Sequence, residues 1–126
     1  MNQEIMQMLG QMNQQHEALQ EQIKIVDQQL VELGQFGEEL SALEEHKNET
    51  VITSLGKSVF APVKLMPDEK MFVEVGAGYF VRKDINGTKI VVEEQNKRLH
   101  EFKNNLSSEL DNLTMQLENV LKMQHA

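Results

Sequence analysis

Cysteine and tryptophan are absent from this chain of 126 residues, tyrosine occurs once and proline twice. Without thiols there can be neither disulfides nor thiolate zinc sites. So few aromatic side chains cannot fill the mixed core of a compact globule. No apolar run approaches the roughly 20 residues that a bilayer requires, and the polar amino terminus lacks the apolar centre of an export signal. A cytoplasmic location is therefore expected, with no membrane partner. Lysine and arginine never cluster, which excludes the phosphate footprint of a nucleic-acid binder.

What is present is charge of one sign in one place. Residues 1–52 hold ten acids against Lys24 and Lys47, whereas residues 53–126 hold ten acids and ten bases. The whole formal charge of -8 thus resides in the first part of the chain. At helical spacing these acids form a solvated face that keeps the molecule soluble or steers a basic partner.

That first part carries a seam. Ile5, Leu9, Met12, His16, Leu19, Ile23, Val26, Leu30, Leu33, Gly37 and Leu40 follow one another in alternating steps of four and three. This 3.5-residue repeat is the requirement of a left-handed coiled coil. The many glutamines fall off the seam and favour helix. A second phase through Phe36, Leu40 and Leu43 would overwind the arm near Gly34 and Gly37. The arm is expected to span about residues 3–52.

The next thirty residues read differently. Val59, Ala61, Val63 and Leu65 alternate with Phe60, Pro62 and Lys64, and Met71, Val73 and Val75 alternate with Phe72 and Glu74. A period of two predicts strands. Pro67-Asp68 is a turn signal, and a reversal there would pair the first run with the second.

A second helix follows from about residue 85 to 124. Asp84 or Asn86 can cap it, although Asn86-Gly87 also suits a hairpin turn. Val92, Leu99, Phe102, Leu106, Leu110, Leu113, Leu117, Val120 and Leu121 continue at helical spacing, and the step from Phe102 through Leu106 to Leu110 implies local unwinding. If the two arms pair antiparallel, both chain ends come together. Most of the methionines lie near those ends, at Met1, Met6, Met8, Met12, Met115 and Met123. Unbranched, polarizable thioethers suit irregular apolar partners, and a two-helix seam does not cover them all.

The run from Val59 to Val63, the turn at Asp68, and Met71-Phe72-Val73-Glu74-Val75-Gly76-Ala77-Gly78-Tyr79-Phe80-Val81-Arg82-Lys83 resemble the central signature of alpha-class prefoldin subunits, archaeal or eukaryotic. The helix-strand-helix order and the chain length fit the same family. The resemblance implies an α+β fold, a long antiparallel coiled-coil hairpin with two small β-hairpins at the connecting end, over one domain of residues 1–126. Strands are then placed near Thr50–Leu55, Ser58–Leu65, Met71–Gly76 and Tyr79–Lys83.

It further implies an ATP-independent holdase without cofactor. Two alpha-class and four beta-class subunits would join by their strands into a β-barrel platform, here through Val59, Phe60, Val63, Phe72, Val73, Val75, Tyr79, Phe80 and Val81. Unfolded clients would be held at the arm tips by Ile5, Met6, Met8, Leu9, Met12, Leu117, Val120, Leu121 and Met123 and passed to a group II chaperonin. A lone subunit with such strands exposes edges and apolar surface, a liability unless other chains cover it.

Other chemistry is not called for. Gly76-Ala77-Gly78 leads into another strand and not a helix start, so it reads as a tight turn and not a phosphate loop. The four histidines have no metal-ligand spacing, and no nucleophile, base and orienting group come together. The competing reading is a passive coiled-coil tether, which has no use for methionine-rich ends.

Overall fold

The computed structural model describes residues 3–64 and 70–124. In chain order the elements are α1 (Gln3–Glu45), β1 (Thr50–Gly56), β2 (Val59–Lys64), β3 (Met71–Gly76), β4 (Tyr79–Lys83) and α2 (Ile85–Gln124). Two compact units emerge: Met1–Val31 with Lys97–Ala126, and Glu32–Asn96. The described residues of the first are paired helix, and the second contains every described strand.

In α1 each seam position from Ile5 to Leu40 is buried or half-buried, and almost every other residue of that span is exposed. Leu40, 2 % exposed, is the most deeply buried side chain, and Met12 and Val26 share the seam. The expected second phase is not adopted. Phe36 is 44 % exposed, and the seam runs through Gly37, where a Cβ would lie 3.8 Å from Val92 Cγ1. Moving the contact to Phe36 would break the 3.5-residue repeat that keeps one face towards the partner. The helix remains continuous past both glycines.

The seam of α2 corrects a second expectation. Leu99, Lys103, Leu106, Leu110, Leu113, Leu117 and Val120 are buried or half-buried, while Phe102 is 51 % exposed. Steps of four and three thus alternate without interruption, and no unwinding is required. Lysine tolerates this place because its methylene stem can lie along apolar surface while the amine reaches outward.

Helix α1 ends at Glu45, short of the expected residue 52. His46 N still donates to Ala42 O at 3.1 Å, but Glu49 N turns back to His46 O at 3.0 Å and Asn48 takes a φ of 70°. Thr50, Val51, Ile52 and Thr53 follow, a β-branched run that favours a pleated strand over a helix.

The strands form two separate antiparallel hairpins, β1 with β2 and β3 with β4. The two small β-hairpins that the resemblance implies are thus present, whereas the pairing of the Val59 run with the Met71 run that the Pro67-Asp68 turn signal suggests is not; Pro67-Asp68 and Leu65 lie outside the described residues. Local turns win. Lys57 and Ser58 (φ 50° and 62°) and Ala77 and Gly78 (φ 50° and 78°) hold the paired positive φ values of a two-residue turn whose twist matches its strands. Before each turn the register shifts, between Ser54 and Gly56 and between Glu74 and Gly76. Gly56 and Gly76 exit those bulges at φ 94° and 123°, where a side chain would be strained.

Asp84 caps α2. Its Oδ1 accepts from Gly87 N at 2.7 Å, and its carbonyl accepts from Thr88 N at 2.9 Å and Thr88 Oγ1 at 2.8 Å. This satisfies the buried Thr88 hydroxyl and removes the alternative of a hairpin at Asn86-Gly87, both of which are helical.

Candidate functional site

The two hairpins are built alike. Leu55-Gly56-Lys57-Ser58-Val59-Phe60 and Val75-Gly76-Ala77-Gly78-Tyr79-Phe80 place bulge, glycine, turn and phenylalanine in the same order, with Ser54 opposite Phe60 and Glu74 opposite Phe80. The sequence reading passed over this repeat. Its signal is the common spacing from glycine across two residues to an apolar residue and then phenylalanine.

Each hairpin has two unlike sides, because residues paired across an antiparallel ladder share a side. Val51 and Ala61, and Met71 and Val73, occupy half-buried sides. The opposite sides are open: Ile52 and Phe60 on one hairpin, Phe72 and Phe80 on the other. Tyr79, at the turn exit, is 73 % exposed, and Val59, Val63, Val75 and Val81 are exposed as well. Arg82 stacks its guanidinium 5.4 Å from the Phe72 ring centre, a cation–π contact on the open side. Among the described residues no third strand pairs with either hairpin. Of the nine strand residues singled out from the sequence, only Val73 is half-buried; the others are exposed.

Beside the first hairpin lies an open groove of about 780 Å³, lined by Leu43 and His46 of the α1 end and by Val51, Ile52, Phe60 and Val63. His46 Nδ1 and Glu49 Oε2 are 2.7 Å apart at its border. The nearby Glu44 carboxylate accepts from Lys89 Nζ. That hydrogen bond, reinforced by the lysine's charge, holds the Glu44 carboxyl below its ordinary value, against a smaller opposing effect of burial.

The chain-end residues divide into two groups. Ile5, Leu9, Leu117 and Val120 are half-buried on the seams and Met12 is buried there, so the opposite arm covers them. Met6, Met8, Leu121 and Met123 are off the seams and exposed, and Met115 is exposed as well. Among the described chain-end residues, the free apolar surface is offered by this second group. The arrangement provides soft apolar side chains at the chain ends and aromatic strand edges in the other unit.

Among the described residues no group of three or more His, Asp or Glu side chains is placed to hold a metal ion. No described helix is long and apolar enough to cross a membrane.

The sequence profile of the prefoldin subunit family matches residues 5–125. A cryo-EM structure of filamentous PFD from Methanocaldococcus jannaschii superposes with a TM-score of 0.80 at 20 % identity, covering 92 % of this chain and 97 % of that one. At that identity the likeness speaks for the fold alone. No curated protein matches the chain.

Proposed function

The chain belongs to the prefoldin family, and from that membership we propose that it is an alpha-class subunit of an ATP-independent holdase. Prefoldins are a family of chaperone subunits that assemble with one another, not a family of enzymes. Its 126 residues would work as a single domain in the cytoplasm, joined to beta-class subunits as two alpha and four beta chains around a β-barrel platform. Unfolded polypeptides would be held at the arm ends and handed to a group II chaperonin.

The observation that carries this reading is the pair of open aromatic hairpins. Ile52, Phe60, Phe72, Tyr79 and Phe80 expose more apolar surface on short two-stranded sheets than an independent unit would leave uncovered. Covering each large side chain in an assembly would contribute about 1.5–3 kcal/mol. The exposed Met6, Met8, Leu121 and Met123 then remain for clients, a feature that a passive tether does not require.

The test uses the full chain assembled with a beta-class partner and a denatured protein diluted without ATP. The assembly should suppress aggregation. Replacing Met6, Met8, Leu121 and Met123 by serine should abolish protection while the mass by light scattering stays constant, since none of these residues is on a seam. Equal protection by the serine variant would refute the assignment to the arm ends, and absence of protection by the unmodified assembly would refute the holdase reading.

A further inference from the structure

The helical pair in the unit that holds both chain ends has two unlike sides. Residues immediately before a seam position fall on one flank of a helix and those immediately after on the other. Antiparallel pairing brings the preceding flanks of both helices to the same side, since reversing a helix and turning its seam to face the partner cancel.

On α1 this side reads Met8, Gln11, Gln15, Ala18, Gln22, Ile25 and Gln29; on α2 it reads Phe102, Asn105, Glu109, Asn112, Gln116, Asn119 and Met123, all exposed. Between Met8 and Gln29 and between Phe102 and Met123, Glu109 is its single charged residue; Glu4 and Arg98 continue the same flanks beyond that stretch. The opposite side, over the same stretch, carries Glu17, Lys24, Asp27, Asp111 and Glu118.

Flanking positions of a coiled coil commonly bear charges that choose a helical partner. Here one side has nearly none and is lined with carboxamides, each able to donate and accept. A helical partner satisfies its backbone internally and leaves such groups little to bind. An extended non-native chain presents unpaired amide and carbonyl groups at every residue, together with apolar side chains in no fixed order.

We infer that this carboxamide side is a lateral track for extended, non-native polypeptide, leading from Met8 and Met123 towards Ile25 and Phe102. The inference rests on the holdase reading above and extends it from the chain ends along the arm. From Met8 to Gln29 the track measures about 30 Å at the helical rise, room for about nine extended residues. Its near-neutrality lets it accept clients of either charge.

Photocrosslinking residues in place of Met8, Gln20 and Gln22 in the full, assembled chain test this with reduced, carboxymethylated lactalbumin as a permanently unfolded probe. Gln22 is on the track, and Gln20, after Leu19, is on the opposite side. Crosslinks from 8 and 22 with loss of signal at 20 support the track. Crosslinks from 8 alone, or equal yields from 20 and 22, overturn it and leave the holdase reading standing; silence at all three sites with no protection from aggregation overturns both. Crosslinks between copies of this chain at 22 without probe would make the side a self-interface and also overturn the track. The triple change Gln15→Glu, Gln22→Glu, Gln29→Glu should weaken capture of the probe, whereas Asn13→Glu with Gln20→Glu should not, and equal weakening by both sets refutes the inference.

Discussion

Lys103 Nζ lies 2.7 Å from Asp27 Oδ1, joining the two helices at a seam position beside the more apolar but exposed Phe102. The pair is partly exposed, so its own contribution is about 0.2–1 kcal/mol. Its larger meaning is register: Lys103 keeps the four-three alternation, and phenylalanine one residue earlier does not. Lys103→Leu should therefore raise the thermal midpoint by adding apolar burial on the seam. Phe102→Ala should change it little. A large loss from Phe102→Ala, measured by thermal unfolding, would return the seam to the phenylalanine.

The same logic distinguishes Leu40 from Phe36 on α1. Leu40→Ala empties a fully buried site and should cost about 2–5 kcal/mol, whereas Phe36→Ala removes an exposed ring. Denaturant titration should show a lower midpoint for the first and a nearly unchanged one for the second. Equal losses would mean that the overwound phase through Phe36 is populated.

Asp84 is the hinge between strand and helix, where one carboxylate oxygen accepts from Gly87 N. Asp84→Ala should destabilise by about 1 kcal/mol, the usual worth of an N-cap. Asp84→Asn retains an acceptor and should recover most of it. If both variants unfold alike, charge at the helix start matters more than the hydrogen bond.

These contrasts explain what the sequence disclosed and what it hid. The arms were readable because a 3.5-residue repeat accumulates over many turns, so one ambiguous position cannot displace it. Phe36 and Phe102 misled locally, since hydrophobic bulk one residue from a seam imitates the seam itself. Glu44, Glu45 and Glu49 read as helix, and only the tertiary turn at Asn48 shows where α1 stops. The hairpins were harder still. Lys57-Ser58 lacks the Asn-Gly signature of a two-residue turn, so the Pro67-Asp68 signal alone points to the wrong pairing, and it is the likeness of residues 59–83 to the family signature that places the two hairpins correctly. At the chain ends the four-three spacing alone separates Met12 from Met8, and burial follows that division, with Met12 buried and Met8 exposed.

Assembly through the open hairpins predicts a sharp effect at Val75, the residue within the second bulge, which is exposed in the single chain. Val75→Asp should leave the helical signal by circular dichroism intact, because no helix contact is lost. It should nevertheless yield monomers or aggregates, since a carboxylate buried between subunits loses hydration without a partner. An assembly of unchanged mass by light scattering would refute the strand assignment.

Acid should act on the Glu44–Lys89 pair. Lys89 holds the Glu44 carboxyl below its ordinary value of 4.5, so the folded state binds fewer protons there than the unfolded chain does. The stabilisation from this pair is then fully present above the ordinary carboxylate value and disappears as pH falls through the lowered folded one. Lys89→Met preserves much of the stem's packing and removes the charge. Its stability deficit relative to the unmodified chain should be visible at about pH 7 and should shrink as pH falls below the ordinary carboxylate value and through the lowered folded one. Urea midpoints across that range measure this directly. A deficit that stays constant across that range would assign the loss from Lys89 to packing and not to the ion pair.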